Sequence, residues 1–281
     1  MDDVSVGTLY LVPTPIGNLG DMTGRAAEIL RKADIVACED TRHTRILLTH
    51  LGIERSVVSY HEHNKKEMGP KLIASLQEGK SIAQVSDAGM PVISDPGAEL
   101  VRLALASDIP VVPLPGPNAA LTALIASGLD ARQFVFLGFL PRTAANRKTL
   151  LKSVQQIPFT LIFYEAPHRL KETLKILIDA LGDRRAVTAR EITKKFETFQ
   201  REKLSVLLEN TKEEAPRGEY VLLVEGWHDD FPLQKEEGSW QQAAEALALE
   251  MPLKEAARKT ASQWNIGRRD VYQYLLKRSE T

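Results

Sequence analysis

Cysteine is almost missing from these 281 residues, Cys38 being the one thiol. That excludes an intramolecular disulfide and a multi-cysteine metal cluster, and it suits a reducing compartment, with Cys38 itself read as a small core residue. Long apolar runs are missing too. The N-terminus enters a strand-like segment at Thr8 to Pro13 without a basic-then-apolar leader, so the chain is expected in the cytoplasm with no membrane partner. There is no G-x-x-x-x-G-K-[ST] and no G-x-G-x-x-G opening a helix, so a nucleoside triphosphate or a dinucleotide has no evident cradle. With 43% hydrophobic and 26% charged residues, the composition is nevertheless that of an ordinary globular protein.

Net charge is only −1, but it is unevenly spread. Residues 1–141 hold 12 Lys and Arg against 16 Asp and Glu, a balance of −4, whereas residues 142–203 hold 14 against 7, a balance of +7. A polyanionic partner would be drawn to the second half, unless these cations are merely solvated helix faces.

Short β-branched runs at Thr8–Pro13, Asp34–Cys38, Ser56–Tyr60, Ser81–Val85 and Pro110–Leu114 alternate with helical patterns, one of them capped by Thr23. This alternation predicts a parallel sheet covered on both faces. A second α/β set follows: strands at Phe134–Leu140, Phe159–Tyr164, Arg185–Ala189 and Tyr220–Glu225, and an amphipathic helix over Leu170–Leu181 ended by Gly182. Trp227 to Gly238 is acidic, poor in apolar pattern, and reads as a linker. Beyond it, Pro252 starts a helix, Asn265-Ile266-Gly267 makes a turn, and Val271, Tyr274 and Leu275 stripe a second helix. The expected domains are 1–118, 119–228 and a helix-turn-helix-like module at 239–281. In that module Arg268 and Arg269 are placed to meet phosphates, unless it is only a structural cap or dimer contact.

Four Gly- and Pro-rich loops follow predicted strands: PTPIGNLGD (13–21), SDAGMPVISDPG (86–97), PGPNAA (115–120) and FYEAPHR (163–169). Open parallel sheets bind ligands at that rim. Backbone groups around Gly89 and Asn118, an apolar wall from Met90, Ile93 and Phe163, and pairing along the strand edge from Gly218 to Val221 would suit an adenosyl group.

These loops, together with EDTRHT (39–44), GFLPR (138–142) and the ARE at 189–191, resemble the ribosomal RNA ribose methyltransferase branch of the tetrapyrrole methylase superfamily, over essentially the whole chain. The resemblance implies a class III fold of two α/β domains, S-adenosyl-L-methionine as cofactor, a homodimer, and 2′-O-methylation of a cytidine in small-subunit (16S) ribosomal RNA. Its cofactor contacts map to Pro15, Asp87, Gly89, Met90, Ile93, Ser94, Asn118, Ala119, Phe163, Tyr164, Glu219, Tyr220 and Val221. The superfamily usually has aspartate after the glycine of the second loop. Met90 stands there instead, so a carboxylate contact is lost. The tetrapyrrole branch's GxGPGD opening is replaced by TPIGNLGD, which speaks against a corrin substrate.

Methyl transfer to a ribose hydroxyl needs alignment first and a proton acceptor second. Asp87 and Glu165 are the expected bases, and Arg42, His43, His168, Arg169 and Arg190 the expected ribose or phosphate contacts. Each has a structural rival: Asp40 could cap the helix opened by TRHT, and Glu165 could anchor Arg169 four residues on. His61 and His63 have metal-ligand spacing, but no third ligand is placed, so no metal is expected. Two other functions fit the same fold: a tetrapyrrole methyltransferase, and a noncatalytic RNA-binding assembly factor.

Overall fold

The computed structural model describes residues 4–95, 97–213, 215–228, 240–264 and 266–279. The chain divides into two compact units, Met1–Asp230 and Phe231–Thr281. Most of the expected linker lies outside the described residues, as does Asn265 of the expected turn.

The larger unit holds two five-stranded sheets. The first is built from β1 (Leu9–Val12), α1 (Gly24–Lys32), β2 (Ile35–Cys38), α2 (Thr41–His50), β3 (Ser56–Ser59), α3 (Lys65–Gln77), β4 (Ile82–Val85), α4 (Ala98–Ala106) and β5 (Val111–Pro113). Its strands are all parallel, in the order β3-β2-β4-β1-β5. Ala26, Ile29, Leu30, Leu47 and Leu48 of α1 and α2 fill one face, and Leu72, Ile73, Leu76, Leu100 and Ala104 of α3 and α4 the other. Each such large apolar side chain contributes roughly 1.5–3 kcal/mol on burial. Cys38 sits in the first of these cores. Local caps agree with the pattern: Thr23 accepts from the Ala26 N–H at 3.1 Å, and Asp40 accepts from the Arg42 N–H at 2.8 Å.

The linking helix α5 (Ala119–Ser127) leads into β6 (Phe134–Phe139), α6 (Ala144–Val154), β7 (Thr160–Glu165), α7 (Pro167–Leu181), β8 (Arg185–Arg190), β9 (Thr198–Lys203), α8 (Leu204–Glu213) and β10 (Tyr220–Val224). The second sheet is mixed, in the order β6-β7-β10-β8-β9, with β10 antiparallel to both neighbours. Sequence pattern does not reveal β9. It is an edge strand, mostly exposed and rich in charge at Arg201, Glu202 and Lys203, which protects an edge but erases the apolar alternation. Helices α6, α7 and α8 cover one face, and α5 the other.

The smaller unit contains three helices among the described residues, one more than expected: α9 (Trp240–Glu250), α10 (Leu253–Trp264) and α11 (Arg268–Ser279). Ala244, Ala256, Ala257, Val271 and Leu275 form its core. Tyr274 and Arg278 both donate to Glu245, at 2.6 and 3.0 Å, tying α11 to α9.

Candidate active site

The four loops that follow β1, β4, β5 and β7 converge on one rim. Because β10 runs antiparallel to β7, its first residues arrive at that same rim, Tyr220 opposite Glu165 and Arg190. Together they enclose a cavity of about 340 Å³ lined by Ile16, Gly89, Met90, Ile93, Ser94, Asp95, Asn118, Ala119, Phe139, Tyr164, Ala189, Ile192, Glu219, Tyr220 and Val221, among others. That size and its largely apolar wall suit a compact organic ligand.

Backbone geometry fixes the rim. Thr14 and Gly89 exchange two hydrogen bonds, each 3.0 Å, tying the first loop to the second. Gly89 has φ +80°, and a Cβ there would meet Ile16 Cγ2 at 3.3 Å. Val92 and Ser94 also adopt positive φ, 77° and 62°, conformations that cost a side-chain-bearing residue energy and recur at ligand-binding loops. Asn118 caps α5, its side chain accepting from the Leu121 N–H at 2.9 Å while its carbonyl accepts from the Thr122 hydroxyl at 2.7 Å. Asn118→Ala is therefore expected to cost about 1 kcal/mol, read as a lower Tm in a melt of the full chain. An unchanged Tm would show that the cap carries no stability.

Carboxylates gather on one side. Burial, with Glu39 and Asp87 nearby, pushes Asp95 up to about 6, partly offset by the Ser86 side chain. Burial and then Asp87 raise Glu39 as well. Asp87 itself accepts from the Asp40 N–H at 3.1 Å and faces His43 Nδ1 at 3.4 Å. Asp40 is held well below the ordinary carboxylate range by its hydrogen bonds with Arg42, 2.7 Å at the closest. Three carboxylates with little local cation among them favour a positively charged guest over an anionic one.

Of the residues expected from sequence, Gly89, Met90, Ile93, Ser94, Asn118, Ala119, Tyr164, Glu165, Glu219, Tyr220 and Val221 line the cavity. Other expectations need correction. Ile16 rather than Pro15 reaches the wall, and Asp87 stands outside the lining. Phe163 is 0% exposed and belongs to the core under α6 and α7. Strand alternation turns it away from the cavity, and Tyr164, edge-on to Phe136 and Phe139, provides the aromatic wall. Strand β10 offers no free edge, since it is paired on both sides, and the Glu219 N–H and carbonyl are both bonded to Glu191 at 3.0 Å.

Glu165, expected as a base, has a fully buried side chain. It accepts from the Ala166 N–H at 2.9 Å and the Thr173 hydroxyl at 2.5 Å, and lies 3.5 Å from Arg169. Its structural rival therefore describes it: the carboxylate anchors the start of α7. Arg169 donates to the Leu140 carbonyl at 2.9 Å and is mostly buried, so it is a brace rather than an open clamp. Arg190 follows Ala189 on β8 and so faces the opposite side of the sheet, where it lines a separate cavity of about 50 Å³ with Thr188, Gln200 and Asn210. Arg42, His43 and His168 are exposed, the first two at the start of α2 and the third in the first turn of α7. Arg268 and Arg269 are exposed on the smaller unit.

His61 Nδ1 accepts from the Asn64 N–H at 3.2 Å, and no group of three possible metal ligands occurs among the described residues. Sequence reasoning missed Asp95, Phe139, Ala189 and Ile192. The signal for Asp95 lay in the second loop, where SDPG repeats the Ser-Asp that opens SDAG.

Residues 8–208 match the family described as Tetrapyrrole (Corrin/Porphyrin) Methylases. The chain is 48% identical over 272 residues to ribosomal RNA small subunit methyltransferase I of Halalkalibacterium halodurans, covering 95% of this chain and 93% of that one. It is 47% identical over 284 residues to the protein of that name from Pseudomonas aeruginosa, covering 98% and 99%. Among solved structures, uroporphyrin-III-C-methyltransferase from Thermus thermophilus aligns with TM-score 0.55 at 22% identity, covering 78% of this chain and 94% of that one. Diphthine synthase aligns with TM-score 0.60 at 16% identity, covering 78% and 90%. The shared architecture, the matched span and the near full-length identity agree: the chain belongs to the tetrapyrrole (corrin/porphyrin) methylase family, in the group formed by its ribosomal RNA small subunit methyltransferase I relatives.

Proposed function

We propose that this chain methylates the 2′-hydroxyl of a cytidine in small-subunit ribosomal RNA, using S-adenosylmethionine, as a homodimer in the cytoplasm. The observation that carries the activity is the identity of 46–48% with ribosomal RNA small subunit methyltransferases I over at least 95% of the chain. The cavity supports the choice of donor. Its apolar wall of Met90, Ile93, Tyr164 and Val221 suits an adenine ring, and its carboxylate side suits a positive charge. When bound, S-adenosylmethionine supplies a methyl group activated by a positively charged sulfur.

The chain's own part is alignment and proton removal. Ile16 and Phe139 give the cavity wall apolar surfaces against which donor and acceptor can be held in line. A ribose hydroxyl holds its proton at neutral pH, so an acceptor at the cavity wall is needed; of the lining carboxylates, Glu165 is committed to Ala166 and Thr173 and Glu219 to Lys194, which leaves half-buried Asp95. Asp87 then acts on Asp95 through its charge, and Glu165 through the placement of α7. Exposed Arg42, His43 and His168, with Arg268 and Arg269 on the 239–281 module, are the proposed contacts to ribose and phosphate. The proposed domains remain 1–118 and 119–228, one for each sheet.

Purified protein, labelled donor and isolated small ribosomal subunits provide the test. Digested RNA is expected to yield label on 2′-O-methylcytidine. Label on a base, or none, would overturn the assignment, and calorimetry without donor binding would leave a noncatalytic assembly factor in its place.

A further inference from the structure

Basic charge is concentrated on one part of the second sheet's covering layer. Helices α6 and α7 follow the parallel strands β6 and β7 and share one core, Leu151 and Val154 with Leu170 and Leu174, so they lie side by side on one face. The strand leading to α6 and the start of α7 both reach the cavity rim: Phe139 closes β6 and lines the cavity, and Pro167 opens α7 and lines it too. From that rim outward, Arg142 and Lys148 are exposed on the α6 side, and His168, Lys171 and Lys175 on α7. The three α7 positions are spaced i, i+3 and i+7, which sets them on one stripe about 10 Å long. No acidic residue stands in the first turn of either helix. The exposed acid within this stretch is Glu172, and Arg147 approaches it at 3.5 Å. Asp179 follows one turn beyond Lys175.

We infer that this α6–α7 face is the track along which the RNA strand leaves the cavity mouth, with Lys148, Lys171 and Lys175 set against successive phosphates. The inference rests on the ribosomal RNA assignment above and adds a surface to it. An acidic protein would be drawn by the same charge, but the mouth of the track favours a nucleic acid. Phe139 is 52% exposed there, its ring held edge-on by Tyr164 at 5.7 Å, and so offers a face on which an unstacked base can lie. The track gathers Arg142, Lys148, Lys171 and Lys175, four of the 14 Lys and Arg of residues 142–203, none of which lines the cavity.

The test uses the full chain carrying Lys148→Gln, Lys171→Gln and Lys175→Gln together. Binding to a small-subunit RNA fragment is measured across a salt series, alongside kcat, KM and donor affinity on isolated subunits. Losing three single-strand phosphate contacts should flatten the slope of log affinity against log salt by about 2. KM should rise about tenfold or more at moderate salt while kcat and donor affinity stay level. An unaltered slope and KM would overturn the inference, as would polyglutamate binding that disappears with these three lysines while RNA affinity stays unchanged. A wild-type chain that binds donor yet leaves subunits unmethylated would instead sink the assignment of substrate, and the salt slope would still decide the surface.

Discussion

Asp95→Asn should slow methyl transfer by about two to four orders of magnitude, the range over which a positioned proton acceptor contributes. Donor affinity, measured by calorimetry, should fall far less than the rate, because the amide keeps the shape of the wall and Glu39 and Asp87 keep their charge beside it. In the wild type, kcat/KM should climb with pH through about 6, where Asp95 gives up its proton, and the variant should lack that limb. Stability should move the other way. A carboxyl whose folded value lies above its unfolded one binds more protons when folded, so ionising it costs stability as pH rises from the ordinary carboxylate value through about 6. The asparagine variant escapes that cost, and its Tm should exceed the wild type's at pH 8 but not at pH 4. A variant that methylates at the wild-type rate, or keeps the rising limb, removes Asp95 from the chemistry.

The second large effect is structural. Gly97 closes the loop that carries Asp95, with φ +137°, a conformation side chains with a Cβ rarely adopt. A Cβ there would collide with the amide of Gln84, which is buried in β4, and approach Val92 Cγ2 at 3.1 Å. Gly97→Ala is expected to cost about 3 kcal/mol, a Tm fall of roughly 6–12 °C for a chain of this size. Because Asp95 sits two residues away, activity should fall even at temperatures where the variant stays folded. Thermal melts and initial rates at low temperature check both, and a variant with wild-type Tm would mean the loop accommodates a side chain.

What could be seen beforehand divides along a physical line. The nine strands read from the sequence are short apolar or β-branched runs bounded by turn residues, and local pattern suffices for them. The rim loops were visible for the same reason, since Gly89 and Asn118 are where backbone conformation demands particular residues. Facing was harder. Phe163 and Tyr164 are adjacent aromatics, and which one meets the cavity depends on the pairing of β7 with β6 and β10. The same parity sends Ala189 to the cavity and Arg190 away from it. Glu165 looked like a base because it follows a rim strand, but Thr173, one turn-and-a-half along α7, claims its second oxygen. Asp95 went unnoticed for the converse reason. Its distinction comes from burial, from Glu39 in the loop after β2, and from Asp87 earlier in its own loop, and Glu39 comes beside them only once β2 and β4 pair.

Strand β10 occupies the slot between β7 and β8 although it is the last strand of its unit to be synthesised. A ribosome making this protein therefore releases two neighbours whose facing edges must stay bonded to water until roughly the final segment of the unit threads between them. The earlier sheet has all its strands in the chain by Pro113, but the pouch wall at Glu219–Val221 cannot exist until that insertion is complete. Newly made chains should thus acquire their small-molecule partner late and all at once, rather than by degrees.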